Sequence, residues 1–319
     1  MYILQEDNGL VDIRKGKNMK DHVFKREKYI NQLISKINNN LIKIVTGIRR
    51  SGKSYLVFKL FKNYLLSNNI KSEQIIEIKL DFFSNLKYQE PEEFLKFVYS
   101  KTEKEGNYFI LVDEIQLLSD FPAVLNELLG NDKYDIYVTG SNSKFLSKDI
   151  ETALRGRGDV VHLFPLSFKE VWENEQHHNQ IEKVWEEYFL YGGIPLVNKM
   201  EDDYDKREYL RRLFNETYIK DILERNKLVN TLEINQLTDV LASNIGCLTN
   251  LQKLSNTFKS VHKSDISAHT LNKYVEYLKD SFLIDEIIRY DIKGKKYIRN
   301  VSGQFRPTGV KSIKVLARI

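Results

Sequence analysis

Residues 41–54 read LIKIVTGIRRSGKS, and this stretch decides the fold. Its first part, Leu41 to Thr46, is an apolar run of strand length. A glycine-rich turn follows from Gly47 to Ser54, and the apolar spacing from Leu56 to Leu65 is that of an amphipathic helix. In this order the backbone N–H groups of the turn and of the helix N-terminus converge on an anion. The sequence therefore predicts a phosphate-binding loop between a strand and a helix.

Two side chains of this loop have the chemistry to hold a nucleotide with its metal ion. Lys53 places a positive charge at the β- and γ-phosphates, and the hydroxyl of Ser54 is a ligand for Mg²⁺. We predict that the nucleotide contacts the whole loop and the residue after it, namely Gly47, Ile48, Arg49, Arg50, Ser51, Gly52, Lys53, Ser54 and Tyr55.

A second apolar run, from Tyr108 to Val112, ends in two acids, Asp113 and Glu114. Magnesium-assisted phosphoryl transfer needs one carboxylate near the metal and a second that polarises the attacking water. Adjacent residues leave a strand end on opposite sides, so we assign the metal to Asp113 and the water to Glu114. Glu114 and Lys53 are the first two predicted catalytic residues.

Strand and helix patterns alternate up to about residue 175. Further strand candidates lie at 75–80, 136–139 and 160–164, separated by helical patterns at 91–104 and 121–129. This alternation predicts an α/β fold, a parallel sheet with helices on both faces. The strand at 75–80 lies between the two motifs along the chain, and Glu114 follows Asp113. These features indicate an additional-strand, AAA+-like P-loop NTPase rather than a kinase or GTPase.

Two more candidate site residues follow later strands. Ser141 or Asn142, after the strand at 136–139, would lie at the crevice where such sheets bind ligands, and either could sense the γ-phosphate. Gly-Ser-Asn is also ordinary turn chemistry, so that alternative stays open. Arg157 could act on the nucleotide of a neighbouring subunit of a homo-oligomer, or it could belong to a solvated basic loop.

After Pro165 the pattern is helical, with helices predicted near 167–174, 181–191, 205–225, 232–244, 248–258 and 267–279. The last three precede an apolar segment at 282–288 and a short one at 297–298, an arrangement typical of a winged helix. We therefore divide the chain into a disordered leader at 1–19, with Met19 as an alternative start, a P-loop domain at 20–175, a helical connector or lid at 176–230, a winged-helix domain at 231–299 and an atypical basic tail at 300–319.

The last predicted helix offers outward polar side chains that suit either DNA or a protein partner: Ser267, His269, Thr270, Asn272 and Lys273. Its Glu276 and Asp280 weaken any phosphate-binding footprint. The net charge of +5 does not decide the matter, because residues 292–319 carry eight cations and no acids. Removing those eight charges from +5 leaves −3 for residues 1–291.

Composition excludes several classes of protein. With 42% apolar and 29% charged residues and only 5 prolines, the chain is neither disordered nor collagen-like. No apolar run approaches the roughly 18 residues of a membrane span, so we expect no membrane contact. The single cysteine, Cys247, excludes a disulfide framework and fits a reducing cytosol.

Taken in order, these motifs resemble the prokaryotic AAA-superfamily ATPases often called archaeal-type ATPases. The resemblance covers about residues 24–299. It rests on eight matching segments: Thr46–Ser54, Val112–Gln116, Thr139–Ser143, Gly156–Arg157, Phe164–Glu170, Gly192–Pro195, Lys220–Ile222 and Tyr290–Lys295. It implies ATP rather than GTP as the nucleotide, with Mg²⁺.

The resemblance also implies a C-terminal domain similar to restriction nucleases. Residues 301–319 are short, acid-free and unlike that continuation, so we expect the domain to be truncated or missing. The sequence thus predicts an Mg²⁺-dependent ATPase that couples hydrolysis to movement of a winged helix. The alternatives are a DNA-binding regulator in which ATP only sets conformation, and a truncated remnant that binds nucleotide without turnover.

Overall fold

Five parallel strands form the central sheet of the computed structural model, which describes residues 23–140, 154, 156–174, 180–228, 231–244, 248–261, 266–287 and 303–307. They are β1 (Ile42–Thr46), β2 (Ile75–Lys79), β3 (Tyr108–Asp113), β4 (Tyr134–Thr139) and β5 (Gly158–His162), in the order β2-β3-β4-β1-β5. The predicted leader, Ser141 and Asn142 lie outside the described residues, as does the tail beyond residue 307.

Helices cover both faces of this sheet, because its apolar side chains alternate between two cores. On β1, Ile42 and Ile44 belong to one core, and Val45 belongs to the other. The first core is completed by α3 (Pro91–Lys101) and α4 (Phe121–Leu129). The second is completed by α1 (Glu27–Ile34) and α2, which runs as Lys53–Tyr55, a π-helical segment Leu56–Phe61 and Lys62–Ser67.

The predicted fold class is confirmed: this is an α/β, P-loop NTPase-like sheet of the additional-strand type. The inserted strand is β4, which lies between β1 and β3. The strand that the sequence argument relied on, β2, lies instead at the edge of the sheet, paired with β3. The predicted class is therefore correct, but the strand inserted between β1 and β3 is β4 and not β2.

The second half of the described chain is mainly helical. It contains α5 (Phe168–Trp172), α6 (Ile181–Tyr191) and α7, which runs as Asp203–Arg212, a π-helical segment Leu213–Ile219 and Lys220–Asn226. The helices α8 (Thr231–Ser243), α9 (Leu251–Val261) and α10 (Ala268–Asp280) follow, with a small antiparallel sheet of β6 (Leu248–Thr249), β7 (Ile284–Ile287) and β8 (Gly303–Pro307).

The observed partner of β7 lies further along the chain than predicted. The sequence suggested 297–298, residues outside the described part, whereas β8 pairs with β7 from within the segment assigned to the tail. The sequence of β8 contains a single apolar residue, Phe305, between polar neighbours. This pattern is too short to identify a strand from the sequence. Among the described residues, no helix is long and apolar enough to cross a membrane.

A buried ion pair holds the two central strands together. Lys43 of β1, 1% exposed, pairs with Asp135 of β4, 7% exposed. Asp135 also accepts hydrogen bonds from the Tyr137 hydroxyl at 3.0 Å and the Asn38 backbone N–H at 3.2 Å. Burial lowers the pKa of Lys43, and the charge of Asp135 offsets part of that effect. Each charge therefore depends on its partner to remain in the sheet.

We predict that Asp135→Asn destabilises the protein by about 3–5 kcal/mol, because it leaves the Lys43 ammonium buried without a counter-charge. Urea unfolding followed by circular dichroism measures the change. Glu93→Gln is the matched control, since Glu93 pairs with Lys96 at the surface, and it should leave the unfolding midpoint unchanged. Equal midpoints for the two variants would contradict the role given to the buried pair.

Candidate functional site

The predicted phosphate-binding loop connects β1 to α2 at the carboxyl end of the sheet. Gly47 has φ 139°, and a Cβ there would lie 2.2 Å from the carbonyl oxygen of Leu163. Only glycine fits, both for its conformation and for this close approach of the neighbouring chain. The loop therefore packs closely against the segment that follows β5. The helix α2 begins at Lys53, so its first backbone N–H groups face the loop.

Lys53 lies inside the loop. Its side chain is 5% exposed, and the ammonium donates to the carbonyl oxygens of Gly47 at 3.0 Å and Ile48 at 3.1 Å. Burial lowers the pKa of Lys53 to about 8, although the charges of Glu114 and Asp113 act in the opposite direction. The ammonium is thus poised to interact with an incoming anion, which would restore its usual pKa.

Ser54, Asp113 and Thr139 come from three different elements and meet at one oxygen. The hydroxyl of Ser54 donates to Oδ1 of Asp113 at 2.9 Å, and the hydroxyl of Thr139 donates to the same atom. Thr139 also accepts the backbone N–H of Glu114 at 3.2 Å. One threonine at the end of β4 therefore fixes both acids at the end of β3. Sequence reasoning noted the polar end of this strand without assigning Thr139 a role.

The carboxylate of Glu114 is held by a neighbour that sequence reasoning did not single out. Glu114 adopts a left-handed backbone conformation, φ 52°, and Nε2 of Gln116 donates to its Oε2.

The pKa of Asp113 is raised by burial. The hydrogen bonds from Thr139 and Ser54 oppose this rise, and the negative charges of Glu114 and Asp81 add to it. Asp81 was missed too, although it is another acid that follows a strand.

The donors at this point suit a magnesium ion. Ser54 and Asp113 offer hard oxygen atoms, which Mg²⁺ prefers. Because burial raises the pKa of Asp113, a cation would stabilise the charged form of this carboxylate. The described residues contain no cluster of three or more His, Cys, Asp or Glu side chains that could hold a metal alone. Mg²⁺ here would complete its shell with water and phosphate oxygens, as it usually does.

Lys53, Ser54, Asp113, Glu114 and Gln116 open onto one cavity of about 740 Å³, a volume typical of small-molecule sites. Seven residues of the predicted loop set line it, from Arg49 to Tyr55, together with Asp113 and Glu114. Ile48 differs, because its side chain is 1% exposed and packs into the core of the helical region. Its contribution to the loop comes from its carbonyl, which accepts a hydrogen bond from Lys53.

The segment Gly192–Pro195 contributes Pro195 to the lining of the cavity. A Cβ on Gly193 would lie 2.0 Å from the carbonyl oxygen of Leu166, and the Leu166 N–H donates to the Gly193 carbonyl at 2.7 Å. This close backbone packing brings Pro195 to the phosphate loop, where its Cγ lies 3.9 Å from the Cβ position of Gly52. The sequence analysis assigned this segment no role in the site, although it is one of the segments that match archaeal-type ATPases.

Residues before α1 also line the cavity and were missed. Phe24 and Arg26 come from the start of the described chain, and the guanidinium of Arg26 donates to the Phe164 carbonyl and to Glu170. Leu166, Leu196, Lys199 and Thr217 also line the cavity. The matching segments around residues 164–170 and 192–195 were the signal that could have indicated this wall.

Two predicted site residues do not join this constellation in the described chain. Arg157 is exposed, donates to Oδ1 of Asn126 at 3.0 Å and is not part of the cavity lining. Asn142 lies outside the described residues, as does its alternative Ser141. Their roles as arginine finger and γ-phosphate sensor stay predictions.

Comparison with known proteins places this geometry in context. Residues 39–172 match the AAA domain family, and residues 182–302 match a domain of unknown function, DUF8612. Neither match shows the nuclease-like domain that the resemblance implies and that we expected to be truncated or missing. Among solved structures, AMPPCP-bound DnaA from Aquifex aeolicus resembles the chain with 12% identity and a TM-score of 0.36, over 86% of this chain and 90% of that one. The structure of C. elegans PCH-2 does so with 16% identity and a TM-score of 0.34, over 79% and 64%.

Two relatives are closer in sequence. An uncharacterized protein of Methanocaldococcus jannaschii is 31% identical over 86% of this chain and 62% of its own length. An uncharacterized protein of Haemophilus influenzae is 34% identical over 292 residues, which is 90% of this chain and 72% of that protein. The chain therefore belongs to the family of AAA-domain proteins that includes this Haemophilus influenzae relative.

Proposed function

We propose that this protein binds ATP with Mg²⁺ and hydrolyses it, acting in the cytosol. The observation that carries the proposal is the convergence of Lys53 and Ser54, at the start of α2, with Asp113 and Glu114, at the end of β3, on one cavity of about 740 Å³. A phosphate cradle alone would suit many ligands. A cradle beside a hydroxyl, a carboxylate and a second acid is the set that hydrolysis of a nucleotide needs.

Each residue has one role in this proposal. The loop N–H groups and the Lys53 ammonium bind the phosphates, while Ser54 and Asp113 would hold Mg²⁺, which neutralises the charge that develops on the phosphate oxygens. Glu114 accepts a proton from the attacking water at its carboxylate, and Gln116 orients that carboxylate through Oε2. Thr139 keeps the two acids in register.

The remaining wall suits a nucleobase. Phe24, Leu166, Pro195 and Leu196 give part of the cavity lining an apolar character, which suits a flat aromatic base. Preference for adenine over guanine rests on the resemblance to archaeal-type ATPases alone.

Assembly into a homo-oligomer is part of the proposal. Arg157 is exposed and lies outside its own chain's cavity, so it is available to a neighbouring copy. An arginine supplied by a neighbour stabilises the charge of the transition state and raises turnover strongly. In this proposal the isolated monomer hydrolyses ATP slowly, and hydrolysis moves the helical region and the winged helix that we assign to residues 231–299.

We predict that steady-state ATPase activity per molecule rises with protein concentration and that Lys53→Ala abolishes it. Glu114→Gln should retain ATP binding and lose turnover by about a hundredfold or more, because the proton acceptor is removed. The measurement is phosphate release against protein concentration, with and without duplex DNA, beside equilibrium binding of ATP.

Lys59→Ala is the matched control, since Lys59 lies exposed on the same helix as Lys53, and it should behave as the unchanged protein. Turnover that survives in Glu114→Gln would contradict the role of Glu114. Tight ATP binding without turnover under any condition would contradict the enzyme and favour a nucleotide-binding switch or remnant.

Affinity for ATP should also depend on pH. The pKa of Lys53 is about 8 in the free protein, and phosphate raises it, so binding takes up a proton above that pH. We expect affinity to be constant below pH 8 and to fall above it, by at most about tenfold per pH unit. Isothermal calorimetry between pH 7 and 9.5 measures this. Lys53→Met should bind weakly with no such slope, and a flat profile for the unchanged protein would contradict the assignment.

A DNA-binding regulator is the second candidate, favoured by α10. His269, Asn272 and Lys273 are exposed there, whereas Ser267 caps the helix by accepting the Thr270 N–H at 3.1 Å. The helices α8 to α10 with a small antiparallel sheet are compatible with the predicted winged helix. The DNA arm of the ATPase experiment separates the candidates. A regulator binds duplex DNA with affinity that falls linearly in log salt and gains no turnover from it.

A further inference from the structure

The phosphate loop touches α7 at points that the proposed reaction does not use. Ile48 packs in the same core as Leu213 and Phe214. The hydroxyl of Tyr218 donates to the Arg49 carbonyl at 2.9 Å, and Nε of Arg49 lies 2.8 Å from Oδ2 of Asp221. The backbone, the apolar side chain and the charged side chain of consecutive loop residues are thus all held by one helix.

The Tyr218 hydrogen bond constrains the next peptide as well. A peptide unit is planar, so the Arg49 carbonyl and the Arg50 N–H point in opposite directions. Holding the carbonyl against Tyr218 therefore turns the Arg50 N–H away from α7. Arg50 itself has φ 66°, a left-handed conformation that a non-glycine residue adopts only when its surroundings impose it. Tyr218 is 2% exposed, so this anchor is shielded from water.

The π-helical segment of α7, Leu213–Ile219, is what presents these residues. A π turn carries an extra residue, so every residue after it is rotated by roughly 100° relative to an uninterrupted α-helix. Within the segment, Thr217 lines the cavity and Tyr218 reaches the Arg49 carbonyl. Asp221, two residues after it, lies beside the guanidinium.

We propose that Tyr218 and Asp221 are positioning residues that fix the phosphate loop through Arg49, so that α7 sets the affinity for nucleotide. This inference rests on the proposed binding of ATP. Binding and conformation are reciprocal, so a nucleotide that tightens the loop also stabilises α7, and this is the route by which its presence reaches the helical region.

The test is a double-mutant cycle on the full chain, read as the dissociation constant for Mg·ATP. Tyr218→Phe removes only the hydroxyl and should weaken binding by about twofold to tenfold, the worth of one hydrogen bond. Asp221→Asn should weaken it by about twofold to fivefold, because the ion pair is partly exposed, and Asp221→Glu should restore most of the loss. In an Arg49→Ala background, Asp221→Asn should have no further effect, since its route to the loop is already gone.

Glu224→Gln is the matched control, an identical change of charge on the same helix in a pair with Lys220 that lies at the surface. It should leave the dissociation constant unchanged, and thermal unfolding confirms that every variant is folded. If the unchanged protein binds ATP and Asp221→Asn binds equally well, or weakens binding as much with Ala at position 49, the inference is wrong and the proposed function stands. If the unchanged protein does not bind ATP, both are wrong.

Discussion

The structure depends on one constraint, which is that the loop at residues 47–50 must satisfy two cores at once. Gly47 lies against the backbone after β5, and Ile48 is buried among the side chains of the helical region. The core to which Ile48 belongs runs through the helical region from Tyr191 to Ile284. The phosphate loop is therefore packed against other parts of the chain on both sides. Its shape is a property of both halves of the chain.

Charged groups lie at both ends of the sheet and have different roles there. Lys43 and Asp135 pair where β1 and β4 pack together, and their charges are satisfied within the protein. At the carboxyl end, burial lowers the pKa of Lys53 and raises the pKa of Asp113, so it favours the neutral form of each group. Those two groups gain stability from ligands of opposite charge, an anion for Lys53 and a cation for Asp113. The first end is therefore structural and the second is prepared for binding.

Much of this architecture could be predicted from the sequence. The alternation of strands and helices gave the α/β sheet, and the loop at 47–54 with Asp113 and Glu114 gave the centre of the site, because each signal is contiguous in the chain. The rest of the cavity lining could not be predicted in this way. Phe24, Pro195 and Thr217 reach the cavity only through tertiary packing, and no periodicity records that a turn or a helix end faces a ligand.

The interruption of α7 was beyond prediction for a different reason. The sequence indicated a single helix at 205–225, and a helix does run through that stretch. Leu210, Phe214, Tyr218 and Ile222 follow one another at intervals of four residues, as in an α-helix, so hydrophobic spacing alone does not reveal the interruption. The extra residue becomes visible only in what the helix contacts, the carbonyl of Arg49 and its guanidinium.

The claim that the phosphate loop and α7 form one unit is tested most directly by amide hydrogen exchange with and without Mg·ATP. Peptides from the loop, residues 47–54, and from α7, residues 213–226, should gain protection together and over the same range of ATP concentration. Protection confined to the loop peptides, with α7 exchanging at its original rate, would contradict the account.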